Sequence, residues 1–142
     1  MRNRGLELSG EVPDWIVQGK EELEAWIKEE LEKRAYRLGR LSYTFCGDAW
    51  IRAQNVKHLN HDYATDIISF DWSKGKKVEG EFLIGVDQIR AFASENALDE
   101  REEFQRVMIH GVLHLIGYDD ITDNEKVVMR NEENKCLILR PF

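Results

Sequence analysis

Apolar side chains recur at helical spacing along much of the chain. Leu23, Trp26, Ile27 and Leu31 form the clearest such stretch, which predicts an amphipathic helix over residues 21–37 that ends before Gly39. Further helices are predicted over residues 49–58, 87–96, 99–116 and 123–139, with Asp48, Asp87, Asp99 and Asp123 as candidate N-caps and Gly117 as the stop after Ile116.

Alternating apolar and polar residues predict strands in the first two thirds of the chain. Leu41–Phe45 alternates cleanly, and residues 65–71 and 81–86 form two further strands on either side of a turn at Lys74–Lys77. These last two strands are expected to pair antiparallel across that turn. Since the strands are followed by helices, we expect a single α+β domain over residues 1–142, with a small mixed sheet of about four strands packed with about five helices.

The composition is that of a globular chain without a bulk affinity for nucleic acid. Apolar residues make up 42% and charged residues 33% of the 142 residues, as in ordinary soluble domains. The net charge of −7 argues against binding nucleic acid by bulk electrostatics, and the excess acid lies in residues 59–142. No apolar run approaches the ~20 residues that span a bilayer, so we expect a cytoplasmic protein with no membrane contact.

Two histidines, His110 and His114, stand one turn apart on the predicted helix over residues 99–116. At this spacing both imidazoles lie on one face and can converge on one metal ion. The rest of this segment is apolar, and unpaired polar groups in a core cost on the order of several kcal/mol. A metal would satisfy both imidazoles. The alternative, two core histidines hydrogen-bonded to backbone or carboxylates, would be favoured if the spacing stood alone.

The residues that follow shift the interpretation towards a metal. Gly117 can turn the chain, and Asp120 then returns in the zincin-like pattern H-x-x-x-H-x-x-G-x-x-[H/D]. Asp120 is therefore the candidate third ligand and Asp119 its rival, although Asp119 could instead cap the last helix. Two imidazoles and a carboxylate suit zinc, and three protein ligands leave one position open, as in catalytic sites. Gly111 stands where metalloproteases of this pattern carry their glutamate general base, so that machinery is missing.

Three blocks of the sequence resemble the bacterial YbeY family of rRNA maturation endoribonucleases. His110–Asp119 closely resembles the family signature, Leu59–Phe70 resembles its T-[DN]-[VI]-[LI]-S-F segment with the preceding loop, and Gly80–Ile84 resembles its G-D-[IL]-x-[IL] strand. The blocks fall in family order and cover roughly residues 41–140. The histidine block is the most specific of the three.

The resemblance implies a metal-dependent endoribonuclease that cleaves single-stranded RNA in small-subunit rRNA maturation and ribosome quality control, with ribosomal RNA and the small ribosomal subunit as partners. The sequence departs from the family at three positions. Asp120 replaces a third histidine, which should make a bound Zn²⁺ less electrophilic. Leu59 stands where many members carry an arginine, a natural phosphate partner, and Glu81 replaces an aspartate.

Other residues are candidates for contact with a substrate. His61 is a weak catalytic candidate, as a phosphate contact or proton shuttle, because its ordinary pKa lies near neutrality; a solvated loop residue is the alternative. Trp72 could stack on a base, with packing as the alternative. Lys74, Lys76 and Lys77 form the tightest basic group and could bind phosphate or simply be solvated.

Two other functions compete with the endoribonuclease on sequence grounds. One is a ribosome-associated assembly factor whose metal is mainly structural, which the net charge, Leu59 and Asp120 favour. The other is a metallopeptidase, against which Gly111 argues.

Overall fold

The computed structural model describes residues 4–142, in which the chain forms four strands and six helices. In chain order the elements are β1 (Gly5–Gly10), α1 (Asp14–Gln18), α2 (Lys20–Lys33), β2 (Arg37–Cys46), α3 (Asp48–Leu59), β3 (Ile67–Asp71), β4 (Lys77–Gly85), α4 (Val86–Glu95), α5 (Glu100–Leu115) and α6 (Asp123–Ile138). The α+β class and the small mixed sheet predicted from the pattern are confirmed.

The sheet has the strand order β1-β2-β4-β3. β1 and β4 each pair parallel with β2, whereas β3 pairs antiparallel with β4, with Ile67 opposite Ile84 and Asp71 opposite Gly80. The β3–β4 hairpin is therefore the one predicted from the turn at Lys74–Lys77. Parallel pairing requires long crossovers, which α1 and α2 supply between β1 and β2.

Helix α5 packs closely against the face of this sheet, and Gly111 makes the close approach possible. A Cβ atom at Gly111 would lie 2.7 Å from the Phe82 ring and 2.9 Å from Ile67 Cδ1. Deeper in the core, the Tyr43 hydroxyl donates a hydrogen bond to the Met108 carbonyl at 3.0 Å. Position 111 therefore faces the apolar sheet, so a general-base glutamate would be buried in the core there.

The structure corrects the predicted boundaries near the N-terminal half. The first long helix ends at Lys33 rather than residue 37, because Ala35 adopts a left-handed conformation with φ 65° and the chain then enters β2. Strand β1 and the short helix α1 were not located from the pattern. In β1 only Leu6 and Leu8 follow the alternation, and the strand is stabilised by non-local pairing with β2.

Three of the predicted N-caps are wrong. Asp87 accepts a hydrogen bond from the backbone N–H of Asp48 at 2.9 Å, so it serves the start of α3 and not its own helix. Asp48 in turn accepts from Gln88. The N-cap of α6 is Thr122, which forms a capping box with Glu125, and Asp123 is the first helical residue. Asp99 does cap α5, accepting from two backbone N–H groups.

None of the helices described between residues 4 and 142 is long and apolar enough to cross a membrane.

Candidate active site

The end of α5 sets the position of the candidate ligands. Gly117, with φ 106°, follows the helix, and its N–H donates to the His114 carbonyl at 3.2 Å. The N–H of Tyr118 donates to the Leu113 carbonyl at 3.1 Å, which completes a Schellman-type C-terminus. As predicted, Gly117 turns the chain, and this turn brings Asp119 and Asp120 back beside the helix.

His110 links a buried carboxylate to an exposed one. Its Nδ1 lies 2.6 Å from Glu133 Oε2, and an ionised carboxylate can only accept, so Nδ1 donates. Its Nε2 lies 3.3 Å from Asp120 Oδ2. The Glu133 side chain is 6% exposed and that of Asp120 is 45% exposed. The imidazole therefore directs its second nitrogen towards Asp120, on the solvent side.

The Nδ1 atom of His114 is also held by a hydrogen bond, in this case to a backbone carbonyl. Its Nδ1 donates to the Tyr118 carbonyl at 3.1 Å, within the turn that follows the helix. Asp119 Oδ1 lies 3.8 Å from this same nitrogen, which is beyond hydrogen-bond distance. Since Nδ1 donates in both histidines, the Nε2 atom of each carries a lone pair when the imidazole is neutral.

The charges around His110 favour a cation. Burial by itself lowers the pKa of His110, but its hydrogen bond with Glu133 and the charges of Glu133, Asp120 and Asp66 outweigh burial, and the pKa is raised. Burial likewise raises the pKa of Glu133, yet its hydrogen bonds with His110 and Arg106 leave that pKa lowered. Both shifts reflect a negative potential at His110, which favours a bound cation.

The donor chemistry of these residues fits zinc. Committed Nδ1–H groups with free Nε2 atoms are the arrangement found in metal-ligating histidines, whose other nitrogen is held by a carboxylate or a backbone carbonyl. Asp120 adds an oxygen donor. As placed, however, no three His, Cys, Asp or Glu side chains of residues 4–142 are grouped so as to hold a metal together.

Glu133 and Arg106 were not identified from the sequence. Arg106 Nη1 donates to Glu133 Oε1 at 3.0 Å, so the carboxylate is held from both sides. Glu133 lies on α6, which packs against α5. No local spacing relates it to His110, and only the tertiary packing brings the two together.

A groove of about 520 Å³ opens beside His110 and Asp120. It lies over α5, between side chains of α4 and α6, and residues 64–66 before β3 also line it. Asp66 is among these residues, so the segment that precedes β3 reaches the groove beside α5.

The predicted substrate contacts lie elsewhere and do not line this groove. His61 is exposed on the loop after α3, where its ring stacks on Tyr63 with centroids 5.4 Å apart. Trp72 is 59% exposed at the end of β3 away from Asp66. Lys74, Lys76 and Lys77 are on the same hairpin turn, with the Lys76 ammonium 4.2 Å from the Tyr36 ring centroid. Their roles stay predictions.

Comparisons with known proteins give one consistent family. The model of the family described as Endoribonuclease YbeY matches residues 14–139. A curated Endoribonuclease YbeY of Parabacteroides distasonis is 39% identical over 122 residues, which is 86% of each chain. That of Cytophaga hutchinsonii is 40% identical over 143 residues and the full length of both.

A solved structure shares the fold. The solution structure of a Thermotoga maritima protein superposes with a TM-score of 0.68 at 25% identity, covering 93% of this chain and 86% of that one. Together with the family match over residues 14–139, this shows that the chain belongs to the Endoribonuclease YbeY family.

Proposed function

We propose that this protein is a zinc-dependent, single-strand-specific endoribonuclease that acts on ribosomal RNA of the small subunit during its maturation and quality control. One observation carries the proposal. His110 Nε2 and Asp120 Oδ2 face each other at 3.3 Å beside the groove, while the Nδ1 atoms of both histidines are held by other partners. The curated relatives are named endoribonucleases, which supports RNA as the substrate.

His110, His114 and Asp120 would hold the metal. When bound, Zn²⁺ supplies a Lewis acid that polarises a phosphoryl oxygen and makes water more acidic. Glu133 holds His110 in the required tautomer and orientation, and Arg106 holds Glu133. Asp120 brings more negative charge than a histidine would, so the ion is expected to be less electrophilic than in a three-histidine site.

The test is RNA cleavage by the purified zinc-loaded protein and by H110A/H114A. Cleavage of a single-stranded RNA, with a duplex of the same sequence left intact, is expected for the wild type and should be lost in the double variant. H58A, which removes an exposed imidazole at the end of α3, is the matched control and should cleave normally. Activity that survives undiminished in H110A/H114A would mean that the cleavage does not depend on these histidines and would contradict the proposal.

The same samples separate the proposal from the assembly-factor alternative. A wild type that binds zinc and cleaves no RNA, with a double variant that loses thermal stability but still associates with ribosomal subunits, would assign the metal a structural role. A wild type that takes up no zinc would remove both functions. Digestion of a peptide library tests the metallopeptidase, and no cleavage is expected because Gly111 faces Phe82 and Ile67.

A further inference from the structure

The groove beside His110 has two chemically different sides. Helix α5 contacts both α4 and α6, so the side chains of these two helices flank the groove over it. From α6 come Lys126 and Arg130, one helical turn apart, and from α4 come Gln88 and Phe92 with the same spacing. One side is therefore basic and the other offers an exposed aromatic ring.

The two cations of α6 are available to a ligand. The Arg130 side chain is 53% exposed, and its only ion-pair contact in the described chain is a long one, 3.9 Å to Glu133. Lys126 is exposed and has no ion pair within residues 4–142. Arg106 differs, because its side chain is only 13% exposed and pairs with Glu133 at 3.0 Å and with Glu103 at 3.7 Å.

The buried carboxylates of the groove neutralise these cations only in part. Glu103 and Glu133 are 6% and 5% exposed, and both pair with Arg106. Of the other acidic groups, Asp66 and Asp120 are at the end where His110 lies. The groove is thus acidic at the candidate metal site and basic at Lys126 and Arg130. This charge pattern suits a polyanion that places one phosphate at the metal and others at the two cations.

Phe92 supplies the opposite contact. It is 45% exposed although it sits on a helix whose Ile89 and Ala93 are buried. Proteins bind single-stranded nucleic acid by combining an exposed aromatic ring with a row of basic side chains. The bases stack on the ring, and the cations contact the phosphate backbone. A duplex keeps its bases stacked on each other and does not offer them in this way.

We propose that the groove between α4 and α6 is the entry path of single-stranded RNA, with phosphates against Lys126 and Arg130 and one base stacked on Phe92. This deepens the proposed function, on which it rests for the identity of the substrate. It assigns RNA contact to three residues that lie away from the lysines of the β3–β4 turn.

The test measures binding separately from cleavage. Fluorescence anisotropy of a labelled 2′-O-methyl single strand is titrated with zinc-loaded protein over a range of salt concentrations, and a denaturing gel checks that the strand stays intact. K126Q/R130Q is expected to weaken binding several-fold and to reduce the slope of log K against log salt by about 1.4, or 0.7 for each phosphate contact.

Phe92 is expected to act through stacking and not through charge. F92A should weaken binding about tenfold without changing the salt slope, whereas F92Y, which keeps a ring, should bind like the wild type. K74Q/K76Q tests the competing basic group, because it removes two exposed cations from the hairpin turn. It is expected to change neither affinity nor slope.

The outcomes separate this inference from the proposed function. If K74Q/K76Q weakens binding and K126Q/R130Q does not, the entry path is at the hairpin turn and the inference is overturned. If RNA is cleaved but none of these variants changes its affinity, the inference fails while the proposed function stands. If K126Q/R130Q and F92A weaken binding but the wild type cleaves no RNA, the inference holds and the proposed function fails.

Discussion

Two adjacent carboxylates on α6, Glu132 and Glu133, face different parts of the molecule. Glu132 accepts from Arg34 Nη2 at 2.8 Å, at the end of α2. Glu133 accepts from Arg106 and His110 on α5. Both are mostly buried, with side chains 14% and 6% exposed, and both have a lowered pKa. By burial and pKa alone the two would be indistinguishable.

The cluster around Glu132 closes on itself. Arg34 also donates to Glu30 Oε1 at 2.9 Å, and Glu30 accepts from Lys33 as well. The thiol of Cys136, which is fully buried, lies 3.6 Å from Glu30 Oε1. Burial raises the pKa of this thiol to about 12, so it stays protonated. These groups satisfy one another between α2 and α6, which is what a structural ion cluster does.

The cluster around Glu133 is open at one end. Its chain of contacts runs from Arg106 through Glu133 and His110 to Asp120, which is 45% exposed beside the groove. The direction of a polar network, and not its burial or charge, therefore separates a candidate site from a structural element. A network that ends at an accessible lone pair can still bind a cation there.

Zinc affinity should depend most strongly on Asp120, at the open end of the cluster around Glu133. Asp120→Asn should remove most of the zinc affinity, because Asp120 Oδ2 is the oxygen that faces His110 Nε2. Asp119→Asn should have a much smaller effect, since Asp119 lies 3.8 Å from a nitrogen that already donates to Tyr118. Competition with a chromophoric chelator measures both. A greater loss in the Asp119 variant would make that residue the third ligand.

Substitution of Glu133 and of Glu132 compares the two clusters directly. Glu133→Gln keeps the shape but removes the charge behind His110, so zinc affinity should fall about 10–100-fold, the usual cost of losing such a partner. Glu132→Gln makes the same chemical change one residue earlier and should leave zinc affinity and RNA cleavage unchanged. Equal losses in both variants would show that α6 responds as a whole, and the distinction between the clusters would be lost.

The candidate site contains parts that the sequence predicts and one part, Glu133, that it does not. Helix α5, its cap Asp99 and its stop Gly117 follow from local rules, and the turn that returns Asp119 and Asp120 follows from Gly117. Glu133 depends on the packing of α6 against α5, which no spacing encodes. The assignment of caps failed at Asp87 for a related reason, because its partner, Asp48, lies on another helix.

The sequence also gives no signal where a non-glycine residue adopts the left-handed backbone conformation. The first long helix ends early at Ala35, where φ is 65°, and an alanine gives no signal for the left-handed region as a glycine would. Strand β1 depends on parallel pairing with β2 across two helices. The groove was missed because Phe92, Lys126 and Arg130 belong to separate helices and converge only in the fold.

A smaller effect is expected on stability. Glu132→Gln should lower the free energy of unfolding by about 1 kcal/mol, because a charge-assisted hydrogen bond to Arg34 becomes a neutral one near the surface, where water screens part of the interaction. Urea unfolding at neutral pH measures this. Lys28→Gln, on the exposed part of α2, is a matched control and should unfold like the wild type. An unchanged Glu132 variant would mean that the charge of Glu132 contributes nothing to stability.

The smallest effect is the pH dependence of that difference. The hydrogen bond from Arg34 lowers the pKa of Glu132 below its ordinary value of 4.5, so folding favours the ionised form. The stability it contributes is therefore fully present above 4.5, where the unfolded chain is ionised too, and is lost as the pH falls through the folded-state pKa. Wild type and Glu132→Gln should differ at neutral pH and converge in acid, because a protonated carboxyl resembles the amide. Since every other acidic group is present in both proteins, the difference between them reports on the Glu132 cluster, and a gap that persists in acid would assign its effect to packing and not to charge.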